Sequence, residues 1–311
     1  MSPHAPRPTQ PQTIPQQRIV GKLDEYMSHR NYAGAERHLL YWLEEALTIG
    51  DERGELMVRN ELVGHFRKTG NRKQALLHGQ EALRLVDELG FGETISAGTT
   101  YVNVATANNA FGNNERAMQL FEKASKVYEA SPQTSAQLLG GLYNNMALTC
   151  VSLRRFDEAD AYYHKALDIM GTVEGGQLEQ AITYLNMADA VAAKAEDALG
   201  QMASSEVGPA ETTQPLATDP TTGSDFAAGP EGEAAWRSAT SEHGDELAKQ
   251  CEEQIGGYLD MALELLDTPS VPRDGYYAFV CEKCAPAFGY HGYFLAEADL
   301  AERAKAIYER A

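Results

Sequence analysis

Four stretches of this chain align with one another: NYAGAERHLLYWLEEAL (31–47), NRKQALLHGQEAL (71–83), GNNERAMQLFEKA (112–124) and RRFDEADAYYHKAL (154–167). The alignment hangs on one alanine in each, Ala35, Ala75, Ala117 and Ala159, at intervals of 40, 42 and 42 residues. Self-similarity at a fixed period of this size marks stacked supersecondary units, none of which can bury its apolar face alone. An earlier half precedes the later copies: ELVGHF (61–66), YVNVATAN (101–108) and YNNMALTC (143–150), with YLNMADAV (184–191) opening a fifth unit. Within it, Tyr143, Met146, Ala147 and Cys150 recur at steps of three and four, the stripe of an amphipathic helix. Gly70-Asn71 and Gly112-Asn113 separate the halves, where glycine readily takes the left-handed conformation that ends a helix. The second half then sets a small, an aromatic and a small residue in register, as in Ala117, Phe121, Ala124 and Ala159, Tyr163, Ala166. The small residues let two antiparallel helices approach, and the aromatic ring fills the wider gap beside them. Each helix should run about 17 residues, or about 25 Å at the usual rise.

This pattern resembles the tetratricopeptide repeat in its long-helix variety, and the likeness covers residues 18–195. It implies an all-α fold, a right-handed superhelical solenoid of five or six antiparallel helix pairs. The chain departs from the family pattern at Gly79, where the second-half aromatic is expected, and at Trp42, where alanine is usual. Some members clasp an acidic C-terminal carboxylate with lysine and arginine. The matching positions here hold Val20, Asp24, Asn60, Gly64, Thr99 and Asn103, none of them a lysine, so that activity is not carried over.

Outside the repeats the composition changes. Between Glu196 and Leu247 stand eleven acids and a single base, Arg237, among Ala, Gly, Ser, Thr and Pro. Such a segment cannot bury enough apolar surface to offset the entropy of ordering it. Residues 203–243 are therefore expected to be a disordered acidic insertion, and residues 1–17 a disordered Pro/Gln-rich tail. The first helix of the fifth unit runs into the insertion, and its second helix resumes after it at 245–267. Loop closure permits this, since each doubling of loop length costs only about 0.6 kcal/mol. Residues 244–311 would complete and cap the solenoid, ending in the Glu/Lys/Arg alternation of EADLAERAKAIYER.

The whole chain has 311 residues, 45 acids, 26 bases and a net charge of −19. That balance argues against nucleic acid, whose phosphates demand neutralisation, and against an anionic membrane surface. Four cysteines are too few for a disulfide scaffold, and no apolar run is long enough for a secretory leader or a membrane span. A cytoplasmic protein is expected.

No catalytic set stands out. Cys281-x-x-Cys284 has half the ligands of a structural zinc site, and the other thiols, Cys150 and Cys251, fall on different helices. Cys284 takes the packing position of Cys150, so both read as small buried apolar residues. The histidines are scattered, and the basic clusters 67–68, 72–73 and 154–155 sit near turns. Neither a metal nor a cofactor is implied. Asparagines are more telling. Asn103, Asn145 and Asn186 recur at one place in successive first helices, Asn60 and Asn144 stand one position earlier, and Asn109 lies further along. An asparagine amide both donates and accepts, so a ladder of these residues could hold an extended backbone on the concave wall. The same residues could equally bond the neighbouring repeat and keep that face polar. The expected function is a non-catalytic scaffold or adaptor that takes a peptide or protein segment on its concave surface. The competing readings are a peptide-sensing bacterial regulator and a redox protein using Cys281 and Cys284.

Overall fold

The computed structural model describes residues 12–206 and 242–310. They form twelve helices and, among the described residues, no strand. In chain order these are α1 (Gln16–Ser28), α2 (Tyr32–Ile49), α3 (Glu52–Lys68), α4 (Arg72–Glu88), α5 (Ile95–Ala110) and α6 (Asn114–Ala130). They continue as α7 (Ala136–Ser152), α8 (Phe156–Gly171), α9 (Gln177–Glu206), α10 (Glu242–Asp267), α11 (Gly275–Tyr290) and α12 (Phe294–Tyr308). Successive pairs make six hairpins, and the first five stack in sequence, each second helix packing on the first helix of the next pair. The result is the all-α solenoid the repeat implies.

The turn inside a hairpin is set by one residue with positive φ. Gly70, Gly112 and Gly292 supply it at 71°, 77° and 87°. In the first and fourth hairpins Arg30 and Arg154 take the same place at 51° and 60°, a conformation that costs a side chain about 1–2 kcal/mol. In two hairpins the next residue caps the second helix with its side chain: Asn31 accepts from the Gly34 amide and Asn71 from the Gln74 amide.

The four aligned alanines are buried, with exposures of 0–1%. Phe121 and Tyr163 are buried beside them, as the small–aromatic–small pattern requires. At Gly79 the missing aromatic has a local reason: a Cβ there would lie 3.1 Å from Cγ1 of Val104 on α5, so α4 sits too close for a ring. Trp42 is half-buried, edge-on to Tyr41. The core runs along the array in three apolar clusters, each fed by neighbouring hairpins, as expected where repeats touch only their neighbours.

The fifth hairpin joins across the acidic stretch. α9 and α10 pack along each other, both longer than the helices expected from sequence, and residues 207–241 of the proposed 203–243 insertion lie outside the described residues. Of the 1–17 tail, residues 1–11 lie outside them too. Within the remainder Ile14 is buried, its amide donating to Oδ2 of Asp51 at 2.9 Å, and α1 begins at Gln16. The last hairpin leans on α9 and is pinned there by His291, whose Nε2 lies 2.8 Å from Oδ1 of buried Asp189. No helix among the described residues is long and apolar enough to cross a membrane.

Candidate functional site

The contact pattern decides which surface is concave. First helices of successive pairs touch directly, α3 with α5, α5 with α7, α7 with α9 and α9 with α11, whereas no two second helices make comparable contact among the described residues. The first helices are therefore crowded on the inside of the curve and the second helices splayed on the outside. Every asparagine singled out in the sequence lies on a first helix.

Their amides are largely spoken for by the protein itself. Asn60 donates to the Leu56 carbonyl and to Oγ1 of Thr100 on α5, both at 3.0 Å, and its Oδ1 accepts from Nδ2 of Asn103 at 3.2 Å. Two stacks further on, Nδ2 of Asn186 donates to Oδ1 of Asn144 at 3.1 Å. The ladder is thus two separate rungs, α3 to α5 and α7 to α9. Asn103 keeps an acceptor oxygen and one N–H, and the side chain of half-buried Asn145 makes no hydrogen bond among the described residues. Asn109 is six residues beyond Asn103, about two-thirds of a turn around the helix at 3.6 residues per turn, so it leaves that face. Its Oδ1 is buried without a hydrogen-bond partner.

Asn60 and Asn103 line a groove of about 670 Å³ between α3, α5 and the start of α1, in the size range of ordinary ligand clefts. Met57, Thr99 and Ser96 form its floor and walls, and at its rim the Arg53 guanidinium rests 5.0 Å over the Phe91 ring. Half-buried Glu61 lines it too and has no ion-pair partner among the described residues. Burial, and then the negative charge of Asp24 on α1, push the Glu61 carboxyl above its ordinary range. Sequence reasoning passed over Glu61. The signal was available, since Glu61 is 42 residues before Asn103 and 84 before Asn145, the period position of both.

The thiols are packing groups. Cys150, Cys251, Cys281 and Cys284 are free and buried. Burial pushes Cys150 up to about 11 and Cys284 up to about 12, away from the thiolate that redox chemistry uses. His291, seven residues beyond Cys284, is held by Asp189. No group of three or more His, Cys, Asp or Glu among the described residues could hold a metal ion. The turn clusters are partly engaged: Arg154 reaches Asp197 at 3.0 Å, and Arg155 pairs with Glu158.

Residues 141–169, the hairpin of α7 and α8, match the tetratricopeptide repeat family model. No curated protein matches the chain. Two crystal structures are similar in extent at low identity. BtubC (BKLC) from P. vanneervenii is 15% identical, with 96% of this chain and 92% of that one covered and a TM-score of 0.38. A tetratricopeptide repeat protein from Parabacteroides merdae ATCC 43184 is 14% identical, with 94% and 93% covered and a TM-score of 0.39. Residues 141–169 thus match a tetratricopeptide repeat, and that hairpin is embedded in a periodic stack of helical hairpins. Such repeats generally mediate protein–protein interactions, and the fold is typically a non-catalytic scaffold.

Proposed function

We propose that this protein is an interaction scaffold that seats an extended peptide or protein segment along the wall of first helices. The observation that carries this reading is the groove between α3 and α5, a preformed cleft lined by unreactive hydrogen-bonding side chains. A preformed surface needs little ordering on binding, which leaves more of the contact energy for affinity. In this account the asparagines divide the work. Asn60, Asn144 and Asn186 hold adjacent first helices in register, while Asn103 and Asn145 present free amide capacity to a bound backbone. Asn109, turned off that face, makes no contact with the segment. No cofactor or nucleic acid enters the reading.

Affinity purification from the native cell, with the intact protein and with an Asn103→Ala, Asn145→Ala double variant, tests it. The reading expects partners retained by the former and lost by the latter, with the variant still folded. Equal recovery of the same partners would overturn the role given to this wall.

A further inference from the structure

The groove at the N-terminal end of the wall holds a carboxylate that no cation among the described residues pairs with. Glu61 projects into it, more than half removed from water, and makes no ion pair among the described residues. The charge it does feel is another carboxylate, Asp24 of α1. Burying a carboxylate without a counter-ion is costly, and a second negative charge beside it adds to the cost. Arg53, the base that lines the same groove, is exposed at the rim over Phe91 and has no resolved influence on Glu61. The opposite wall, from α5, contributes only neutral oxygens and amides: Ser96, Thr99 and Asn103. An entering group thus meets the Glu61 carboxylate, with exposed Asp24 of α1 near enough to act on it, and a set of acceptors that includes Oδ1 of Asn103.

Resting on the reading of this wall as a peptide seat, we propose that the partner segment is basic and that one of its lysine or arginine side chains enters the α1–α3–α5 groove beside Glu61. The ammonium or guanidinium supplies the counter-charge the fold leaves out, and the acceptors opposite take its remaining N–H donors. The rest of the chain favours the same sign. A net charge of −19 draws a basic segment in and turns an acidic one away. It is also why the test needs a charge-matched control.

A phage-displayed library of random twelve-residue peptides, panned on the full chain, reads the preference without assuming a partner. Selected clones should be enriched in Lys or Arg. Their synthetic peptides should lose at least about tenfold in affinity with Glu61→Gln, and a measurable part of it with Asp24→Asn. Glu44→Gln, an equal charge change on exposed α2, should leave affinity unchanged. Circular dichroism confirms that each variant is folded. Selection of neutral or acidic clones that still need Asn103 and Asn145 would overturn the basic-segment proposal and spare the peptide seat. Basic clones that bind Glu61→Gln and Glu44→Gln alike would do the same, by revealing a non-specific charge effect. Failure to select any clone would overturn both.

Discussion

Replacing Asn60 by alanine separates the structural from the recognition role of the asparagines, because the two roles predict different magnitudes. The substitution removes three hydrogen bonds. The one to the Leu56 carbonyl costs little, since that carbonyl keeps its helical partner. The other two join α3 to α5, to Thr100 Oγ1 at 3.0 Å and from Asn103 Nδ2 at 3.2 Å. Each contributes about 1 kcal/mol net, so Asn60→Ala should lower stability by about 2 kcal/mol. Thr100 is fully buried and cannot recover the lost bond from water, which keeps the cost at that level. Asn145 makes no side-chain hydrogen bond among the described residues, and Asn145→Ala should change stability by less than about 0.5 kcal/mol. Urea denaturation followed by circular dichroism measures both. The Asn60→Ala, Asn103→Ala double-mutant cycle should return a coupling of about 1 kcal/mol. Equal stability losses for Asn60→Ala and Asn145→Ala, or a vanishing coupling, would refute the division of labour.

Four other outcomes follow from particular positions. Gly64→Ala should stabilise by up to about 1 kcal/mol, because Gly64 is inside a helix and a Cβ there meets nothing within 4 Å. Gly112→Ala should instead destabilise by about 1 kcal/mol, its φ of 77° being strained for any side chain; thermal melts distinguish the two. Asp189→Ala should cost about 2 kcal/mol by removing the hydrogen bond between the buried Asp189 carboxylate and His291, and hydrogen exchange should rise first in α11 and α12. His78 gives a pH dependence. Burial, then the Arg59 guanidinium, lower its pKa to about 4, so the folded ring stays neutral where the unfolded one, near 6.5, takes a proton. Its contribution to stability is whole above about pH 6.5 and is lost as pH falls toward 4, and His78→Phe should flatten that slope in urea titrations.

The fold was legible because it is written in residues that repeat. Ala35, Ala75, Ala117 and Ala159 report the same close helix approach four times over, and Gly70 and Gly112 the same turn. Where the approach differs the pattern breaks locally, as at Gly79 against Val104. Arg30 and Arg154 kept the left-handed turn hidden behind a residue type that seldom adopts it. The site was less legible for a physical reason. Position in the repeat placed the asparagines on first helices, but which amide bonds its neighbour depends on small offsets between stacks. Spacings of 43 and 42 residues bring Asn60 to Asn103 and Asn144 to Asn186, and leave Asn145 outside either pair. Spacing puts Glu61 at the period position of Asn103 and Asn145, but its lack of a counter-ion among the described residues is a three-dimensional property that spacing alone does not reveal. The same holds for the Asp189–His291 contact, which spans 102 residues.

A photo-crosslinking amino acid placed at Met57 in the groove, and separately at exposed Leu77 on the outer helix α4, tests most directly whether the inner wall is the working surface. Irradiation in the native cell should give a discrete protein adduct from position 57 and none from position 77. Adducts from position 77 alone would contradict the account.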